Sequence, residues 1–252
     1  MKAFTPQFLH FDSLPSTNVE AANRAVEGAP EGLCVVASEQ TAGRGRLERQ
    51  WVSPKGTGLY CSIILRPQFY QSLWPLLTLM AAIAVHDALL DVYDLETDIK
   101  WPNDILVNDR KLCGILAETV DTPLGRAVIL GIGVNLKHNS FPAELEGVAT
   151  SVEAATGRNA DLELVIEPLF GSIVRYYQML QHLGGSEEIV QEWSARSSYA
   201  NGKRIRLVNS GEIVEGFTRG LESDGGLRIE TDTGEIRIFR AGDVTAVRTV
   251  YS

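Results

Sequence analysis

The sequence predicts an α/β protein of the α+β type, in which a mixed sheet with packed helices is followed by a small β-barrel. Helix-patterned segments and apolar strand-like runs alternate as far as about residue 198. After Ser198 the chain changes to short alternating strands separated by glycine-containing turns, a pattern typical of a separate barrel. We therefore expect two domains, residues 1–198 and residues 199–252.

Composition and charge limit the class of protein. The 252 residues, with 44% hydrophobic content, predict a globular chain. The formal net charge of −9 disfavours DNA or an anionic membrane as the main partner, since neither would gain counterion release. No apolar stretch is expected to span a membrane, and the N-terminus lacks the apolar core of a signal peptide, so a cytoplasmic location is expected. Cys34, Cys61 and Cys113 lie in strand-like runs and are expected to be buried small hydrophobes.

The first predicted helix begins at Thr17 and ends near residue 28. Thr17 followed by Glu20 fits a capping box, and apolar residues recur behind them at helical spacing. Taken alone, helix capping is the simplest function for Ser16 and Thr17.

The other elements of the first domain follow from the period of the apolar residues. Apolar runs and alternation predict strands, whereas apolar residues at helical spacing predict helices that face the core. The predicted elements are strands at 33–37, 58–65 and 127–136, a helix at 74–89 around Pro75, and helices at 162–183 and 187–195 separated by Gly184-Gly185.

Residues 98–118 predict a hairpin that borders a ligand. Asn108 and Asp109 form its turn, and Pro102 interrupts the pairing of the ladder. Gly114 thins the returning strand, and Gly131 and Gly133 thin the next one. Because glycines within strands let another group approach the backbone, both strands are expected to line one pocket.

Residues 41–51, with the sequence TAGRGRLERQW, form the most informative segment of the chain. Arginine presents a planar fork to phosphate or carboxylate oxygens, glycine permits close backbone approach, and Trp51 offers a face to a flat ring. The segment predicts an anion clamp for a nucleotide or a mixed anhydride, and the alternative is an ordinary solvated loop. We expect it to be mobile without ligand and to order over one.

Several common catalytic motifs are absent from the sequence. There is no P-loop, dinucleotide fingerprint, His-Glu-x-x-His, Cys-x-x-Cys or Gly-x-Ser-x-Gly motif, and the four histidines share no ligand spacing. No metal ligands are therefore assigned to the protein. The remaining groups are arginines, lysines, amides and an indole, which can stabilise charge that grows during displacement at phosphorus. The formation of an adenylate requires little more.

Three blocks of this sequence together resemble biotin–protein ligases: residues 43–51, residues 100–116 with Lys-Trp-Pro-Asn-Asp and Arg-Lys, and residues 131–135. Ser-Thr-Asn at 16–18 and Gly-Asp-Val at 242–244 also fit, so the resemblance covers essentially the whole chain. It implies the mixed-sheet fold of biotin and lipoate ligases with a C-terminal SH3-like barrel. It also implies that ATP, with Mg²⁺, activates biotin to biotinyl-5′-AMP. A lysine of a biotin carboxyl carrier protein then takes the biotinyl group.

The resemblance implies roles for individual residues. Lys111, Arg46 and Asp104 are implied to be catalytic, with Lys111 bridging the biotin carboxylate and the α-phosphate. Asp104 either orients Lys111 or accepts the proton of the incoming lysine. The residues implied to bind biotin are Ser16, Thr17, Asn18, Gln40, Gly43, Arg44, Arg46, Lys111, Gly114 and Leu116. Those implied to bind ATP or the adenylate are Arg44, Arg46, Arg49, Trp51, Asn103, Lys111, Gly131 and Asn135.

The partners and the alternatives are also set by the resemblance. About fifteen residues precede the Ser-Thr-Asn block, too few for a helix-turn-helix domain, so we expect a monofunctional ligase that does not bind operator DNA. The barrel is expected to recruit the carrier or to complete the ATP site, and a homodimer is left open. A lipoate–protein ligase and a non-catalytic protein that retains biotin or its adenylate are the competing hypotheses. Gln40 with Ser16 argues against the first, and intact Lys111 and Arg46 argue against the second.

Overall fold

A mixed sheet of seven strands organises the first part of the chain, as the sequence predicts. The computed structural model describes residues 4–247. The strands are β1 (Gln7–Phe11), β2 (Leu33–Ala37), β3 (Gly58–Leu65), β4 (Asp98–Lys100), β5 (Asp104–Val107), β6 (Arg110–Thr122) and β7 (Gly125–Asn135). Their order is β1-β2-β3-β7-β6-β5-β4, with β1 and β2 parallel and the other neighbours antiparallel. The predicted turn joins β5 to β6, where Asn108 and Asp109 both have positive φ, as a type I′ hairpin requires.

Helices cover both faces of this sheet. The five α-helices of the described residues are α1 (Thr17–Val26), α2 (Leu76–Tyr93), α3 (Val152–Thr156), α4 (Leu162–Leu180) and α5 (Gly185–Ala195). On one face, α1 packs through Ala21 and Ala25 against β2, β3 and β7. On the other face, α2 lies between the sheet and the pair α4 and α5. The face that carries α1 is only partly covered, which leaves room for a ligand beside the helix.

Helix α2 corrects one expectation from the sequence. Its length and apolar composition are sufficient to cross a membrane, although no such stretch was expected. Most of its residues are buried inside the protein, because the sheet and two helices surround it. A core helix of a soluble domain passes the same criterion, so this feature is weak evidence for a membrane span.

The C-terminal part forms an antiparallel sheet that is not closed. Its strands are β8 (Asn201–Asn209), β9 (Glu212–Leu221), β10 (Leu227–Thr231), β11 (Ile236–Phe239) and β12 (Asp243–Ala246). Their order is β11-β10-β9-β8-β12, and within residues 4–247 the two edge strands do not pair with each other. The C-terminal β domain that the sequence predicts is thus confirmed, although its barrel is not closed within the described residues. Both edge strands have only four residues, which limits the ladder that could close the sheet.

The two parts of the chain share one apolar core. Ile205, Leu227 and Ile229 of the C-terminal sheet belong to the same buried cluster as the residues of α2. Trp101, only 1% exposed, donates its indole N–H to the carbonyl oxygen of Gly225 at 2.9 Å, so it is a core residue. Gly225 has a φ of +84°, and a Cβ there would lie 3.1 Å from a methyl group of Leu76. The proposed boundary near residue 198 thus separates two units in direct contact.

Replacement of Trp101 by phenylalanine should weaken the contact between these units. The Trp101→Phe variant keeps an aromatic ring but leaves the Gly225 carbonyl without its donor, so we expect the free energy of unfolding to fall by about 1–3 kcal/mol. Urea denaturation measures this loss. Trp74→Phe is the matched control, because that half-buried indole bonds the carbonyl of Phe69 in its own segment at 3.3 Å. Equal losses in the two variants would contradict the role assigned to Trp101.

Candidate active site

A cavity of about 230 Å³ lies beside the N-terminal end of α1 and brings most of the predicted site residues together. The predicted residues that line it are Ser16, Thr17, Asn18, Gln40, Arg44, Arg46, Arg49, Trp51, Asn103, Asp104, Lys111, Gly114, Leu116, Gly131 and Asn135. Gly43 is outside this lining and lies at the base of the arginine loop, where its carbonyl accepts from Trp51 N–H at 3.0 Å. The site residues come from segments separated by more than one hundred positions, and the sheet brings them together.

Paired glycines in β6 and β7 form one wall of the cavity. The antiparallel register places Gly114 opposite Gly133 and Leu116 opposite Gly131. Trp51 packs directly on the first pair, since a Cβ built on Gly133 would lie 2.5 Å from the indole Nε1 and one on Gly114 would lie 3.1 Å from Cζ3. Only glycine at these positions lets the indole lie against the sheet.

A largely buried carboxylate holds two lysines at the edge of the cavity. Asp104 lies 2.6 Å from Nζ of Lys111 and 3.2 Å from Nζ of Lys100. Burial raises the pKa of Asp104, but the charges and hydrogen bonds of Lys111 and Lys100 outweigh it and hold the pKa below its usual value. Lys111 Nζ also lies 5.5 Å from the centre of the Trp51 ring. The ammonium group is thereby fixed in place beside the cavity.

The arginine loop is held at three points. Arg44 forms an ion pair with Glu118 of β6, and Arg49 forms one with Asp243 of β12. Arg46 donates to the side-chain oxygen of Asn103 at 3.1 Å and to the carbonyl of Gly242 at 3.3 Å. Both parts of the chain therefore hold the loop over the cavity. Its predicted mobility without ligand stays a prediction.

The start of α1 contradicts the capping interpretation. The helix begins at Thr17 with Ser16 as its N-cap, and no side-chain capping hydrogen bond forms there. Glu20 pairs with Arg24 at 2.7 Å, and the Thr17 hydroxyl instead contacts Gln40 at 3.1 Å. The capping residues were misinterpreted because the same polar side chains also serve a tertiary polar network, which a local pattern does not reveal.

Other side chains of the site have defined partners. Asn135 is buried and donates to the carbonyl of Thr150 at 3.0 Å, which ties β7 to the segment before α3. Cys61 lines the cavity, but burial raises the pKa of its thiol, so it stays protonated and is not an activated nucleophile. Cys34 and Cys113 are buried as well, as the sequence predicts. The chemistry of this cavity is therefore charge stabilisation by cations rather than attack by a protein nucleophile.

Some residues of the site were not identified from the sequence. Lys100 stands in a recognised block, but its link to Asp104 becomes visible only through the β4–β5 pairing. Glu118 carries no motif, and Phe141, Leu145 and Val148 line the cavity from a loop without any pattern. Among residues 4–247, no group of three or more His, Cys, Asp or Glu side chains could hold a metal ion.

Comparisons with known proteins agree with this geometry. The family model described as "Biotin/lipoate A/B protein ligase family" matches residues 10–135, and the "Biotin protein ligase C terminal domain" matches residues 201–245. The Bifunctional ligase/repressor BirA of Bacillus subtilis is 40% identical over 241 residues, 92% of this chain and 72% of that protein. The biotin–[acetyl-CoA-carboxylase] ligase of Paracoccus denitrificans is 35% identical, over 91% of this chain and 96% of its own length. A solved biotin protein ligase from Aquifex aeolicus, in complex with biotin and ATP, has a TM-score of 0.85 at 27% identity and covers 98% of this chain and 100% of its own.

The carboxylate of Asp104 should contribute pH-dependent stability. Asp104→Asn leaves Lys100 and Lys111 without their shared anion, so the free energy of unfolding should fall by about 3 kcal/mol at pH 7. Because the folded pKa is lowered, this contribution is present above the unfolded pKa of about 4 and is lost as pH falls through the folded value. Urea unfolding from neutral to acidic pH measures the difference between parent and variant.

Asp121→Asn is the matched control for this titration, because Asp121 forms an exposed pair with Arg126 at 2.8 Å. It should have little effect on stability at any pH, since solvent screens exposed pairs. A difference between the parent and Asp104→Asn that does not shrink in acid would contradict the assignment.

Proposed function

Because the chain belongs to the biotin/lipoate A/B protein ligase family, we propose that it activates biotin with ATP and transfers it to a carrier protein. It is a biotin–protein ligase, an ATP-dependent enzyme whose relatives carry that name and whose structural neighbours bind biotin and ATP. The first step forms biotinyl-5′-AMP and releases pyrophosphate. In the second step a lysine of a biotin carboxyl carrier protein attacks the acyl carbon, and AMP leaves.

The polar floor of the cavity carries the choice of biotin over lipoate. Thr17, Asn18 and Gln40 line the cavity and, with the buried Ser62, form a connected set of uncharged hydrogen-bonding groups. Biotin has a neutral ureido ring whose N–H and carbonyl groups need such partners once they lose water. The dithiolane ring of lipoate has no hydrogen-bond donors, so the acceptor oxygens of this set that face the cavity would gain no partner from it.

The positive groups of the site suit the first step. As the carboxylate attacks the α-phosphate, negative charge grows on the oxygens around phosphorus. We assign Lys111 to that position, with Arg44 and Arg46 from the loop along the carboxylate and phosphate. Trp51 would lie against the adenine side of the adenylate. These cations are already fixed by protein contacts, so little reorganisation is needed when the charge develops.

Asp104 is better suited to orienting Lys111 than to accepting a proton. A carboxylate whose pKa is lowered by two lysines is a weak base, which disfavours proton transfer from the acceptor lysine. Its 2.6 Å contact with Lys111 Nζ instead fixes the direction of that ammonium group. We therefore propose an orienting role for Asp104, and for Lys100 a supporting role through the same carboxylate.

The C-terminal part is proposed to complete the ATP site. The supporting observation is that Gly242 and Asp243 hold Arg46 and Arg49, two of the arginines proposed to contact phosphate. Mg²⁺ is proposed to accompany ATP. The described residues offer no dedicated cluster of metal ligands, so the ion would be held mainly by the phosphates of ATP and by water. No step above runs through the ion. A cytoplasmic location and the absence of DNA binding and membrane binding remain proposals, supported by the net charge of −9. Homodimer formation also stays open.

The activity is tested by labelling of a carrier domain. The protein with biotin, Mg-ATP and an apo biotin carboxyl carrier domain should yield a biotinylated carrier and stoichiometric pyrophosphate. Mass spectrometry of the carrier measures the transfer, and a parallel reaction with lipoate is the control. Transfer of lipoate but not biotin would identify a lipoate ligase, whereas biotin binding without pyrophosphate release would identify a non-catalytic binding protein.

Lys111→Ala should slow adenylate formation far more than it weakens biotin binding. The ammonium group matters most as charge develops in the transition state, so we expect the single-turnover rate to fall by about 10²–10³-fold. Lys100→Ala is the matched control, because Lys100 contacts the same Asp104 but lies outside the cavity lining, and its effect should be smaller. Single-turnover adenylation with radiolabelled ATP measures both rates. A Lys111→Ala rate equal to that of the parent would refute the role.

A further inference from the structure

A chain of hydrogen bonds runs from the half-exposed carboxylate of Glu118 to the floor of the cavity. Asn18 Nδ2 donates to Glu118 Oε2 at 2.7 Å, and Asn18 Oδ1 lies 2.6 Å from the hydroxyl of Ser62. The Ser62 hydroxyl lies 2.7 Å from that of Thr17, which in turn lies 3.1 Å from Oε1 of Gln40. Ser62, Thr17 and Asn18 are all buried, so each of these polar atoms depends on its protein neighbours for hydrogen bonds.

The chemistry of the groups fixes the direction of this chain. An ionised carboxylate only accepts, so Glu118 must face the amide nitrogen of Asn18, and Asn18 Oδ1 must then face Ser62. Ser62 has a single hydroxyl proton, which it donates to that oxygen. The contact between Ser62 and Thr17 therefore requires Thr17 to donate to Ser62.

Thr17 then has no proton left for Gln40. The orientation of Gln40 is fixed independently, because its Nε2 donates to Ser53 at 2.9 Å and its Oε1 accepts from Thr17 N–H at 2.8 Å. Two acceptor oxygens, Thr17 Oγ1 and Gln40 Oε1, thus lie 3.1 Å apart at the cavity with no proton between them. This contact is the longest of the four side-chain contacts from Glu118 to Gln40, as expected for the one without a proton. A ligand N–H directed at both oxygens would satisfy them.

We propose that Glu118 is a specificity-determining positioning residue that makes the cavity floor an acceptor for a ligand N–H. The inference rests on the proposed function, in which the N–H groups of biotin are those of its ureido ring. Glu118 lies outside the cavity lining and acts through Asn18, Ser62 and Thr17. The same carboxylate binds Arg44 of the loop, so one residue connects the floor of the pocket to the group that covers its anionic end.

A reversal of the hydrogen-bond direction from Glu118 to Gln40 tests this proposal. In Glu118→Lys, an ammonium donor replaces the acceptor, so Asn18 should flip and donate to Ser62, and the Thr17 proton should turn to Gln40. We expect the Kd for biotin, measured calorimetrically without ATP, to rise about tenfold or more, because the acceptor pair is lost. Glu118→Gln keeps an acceptor for Asn18 and should stay within about threefold of the parent. Equal Kd values for the parent and Glu118→Lys would overturn the proposal.

Glu118→Lys also removes the ion pair with Arg44, and Ser62→Ala separates that effect from the effect on the hydrogen bonds. It interrupts the chain without touching Glu118 or Arg44 and should raise the Kd for biotin by a similar factor. In the double variant Glu118→Lys/Ser62→Ala, the Kd should lie within about twofold of that of the weaker-binding single variant, because both changes break one chain. Fully multiplicative effects would show that Glu118 acts by another route, such as the loop alone.

Controls distinguish a failure of the role proposed for Glu118 from a failure of the proposed function. Asp121→Lys introduces the same charge change on the same strand, at a residue that pairs with Arg126 away from the cavity, and should leave the Kd unchanged. An equal loss in Asp121→Lys would assign the effect to net charge. Thermal unfolding confirms that each variant is folded. If the parent does not bind biotin, the proposed function fails, whereas biotin binding by the parent that is insensitive to Glu118→Lys overturns only the role of Glu118.

Discussion

The close approach of side chains to bare backbone in β6 and β7 is the constraint on which the site depends. Gly114 and Gly133 face each other across the ladder, and Trp51 lies directly on them. Two residues before Gly133 on β7, a Cβ on Gly131 would overlap the side-chain amide of Asn18. Without these glycines, neither the indole nor the start of α1 could reach the sheet. The cavity between them would then lose both its cover and its floor.

Charge in the site is organised by pairing rather than by overall composition. The protein carries a net charge of −9, yet its arginine loop and Lys111 concentrate positive charge around one cavity. Glu118, Asp104 and Asp243 hold these cations in place. A substrate phosphate or carboxylate would meet cations whose directions are already set, which is the arrangement that favours transition-state charge. The contacts to Asp243 also make the C-terminal sheet part of this arrangement.

The sequence predicted the strands and helices well where an apolar run or a regular apolar pattern was clear. The predicted strands at 33–37 and 58–65 coincide with β2 and β3, and the helix break predicted at Gly184-Gly185 is observed between α4, which ends at Leu180, and α5, which begins at Gly185. It failed where a local pattern competed with tertiary contacts. Thr17 and Glu20 fit a capping box, but the hydroxyl of Thr17 bonds to that of Ser62 instead. The C-terminal β domain was predicted, but the lack of closure in its described strands left no signal in the sequence, because strand closure depends on which edges meet in space.

The sequence by itself determined the mixed fold, the family and many of the residues that line the cavity, because ordered motifs and apolar periodicity are properties of the chain alone. Only the tertiary structure decided which side chains face one another. The β4–β5 pairing joins Lys100 to the carboxylate that holds Lys111, and the position of α1 on β6 joins Asn18 to Glu118. Such links depend on strand register and helix placement, which leave no local pattern in the sequence. The second link joins residues that are 100 positions apart.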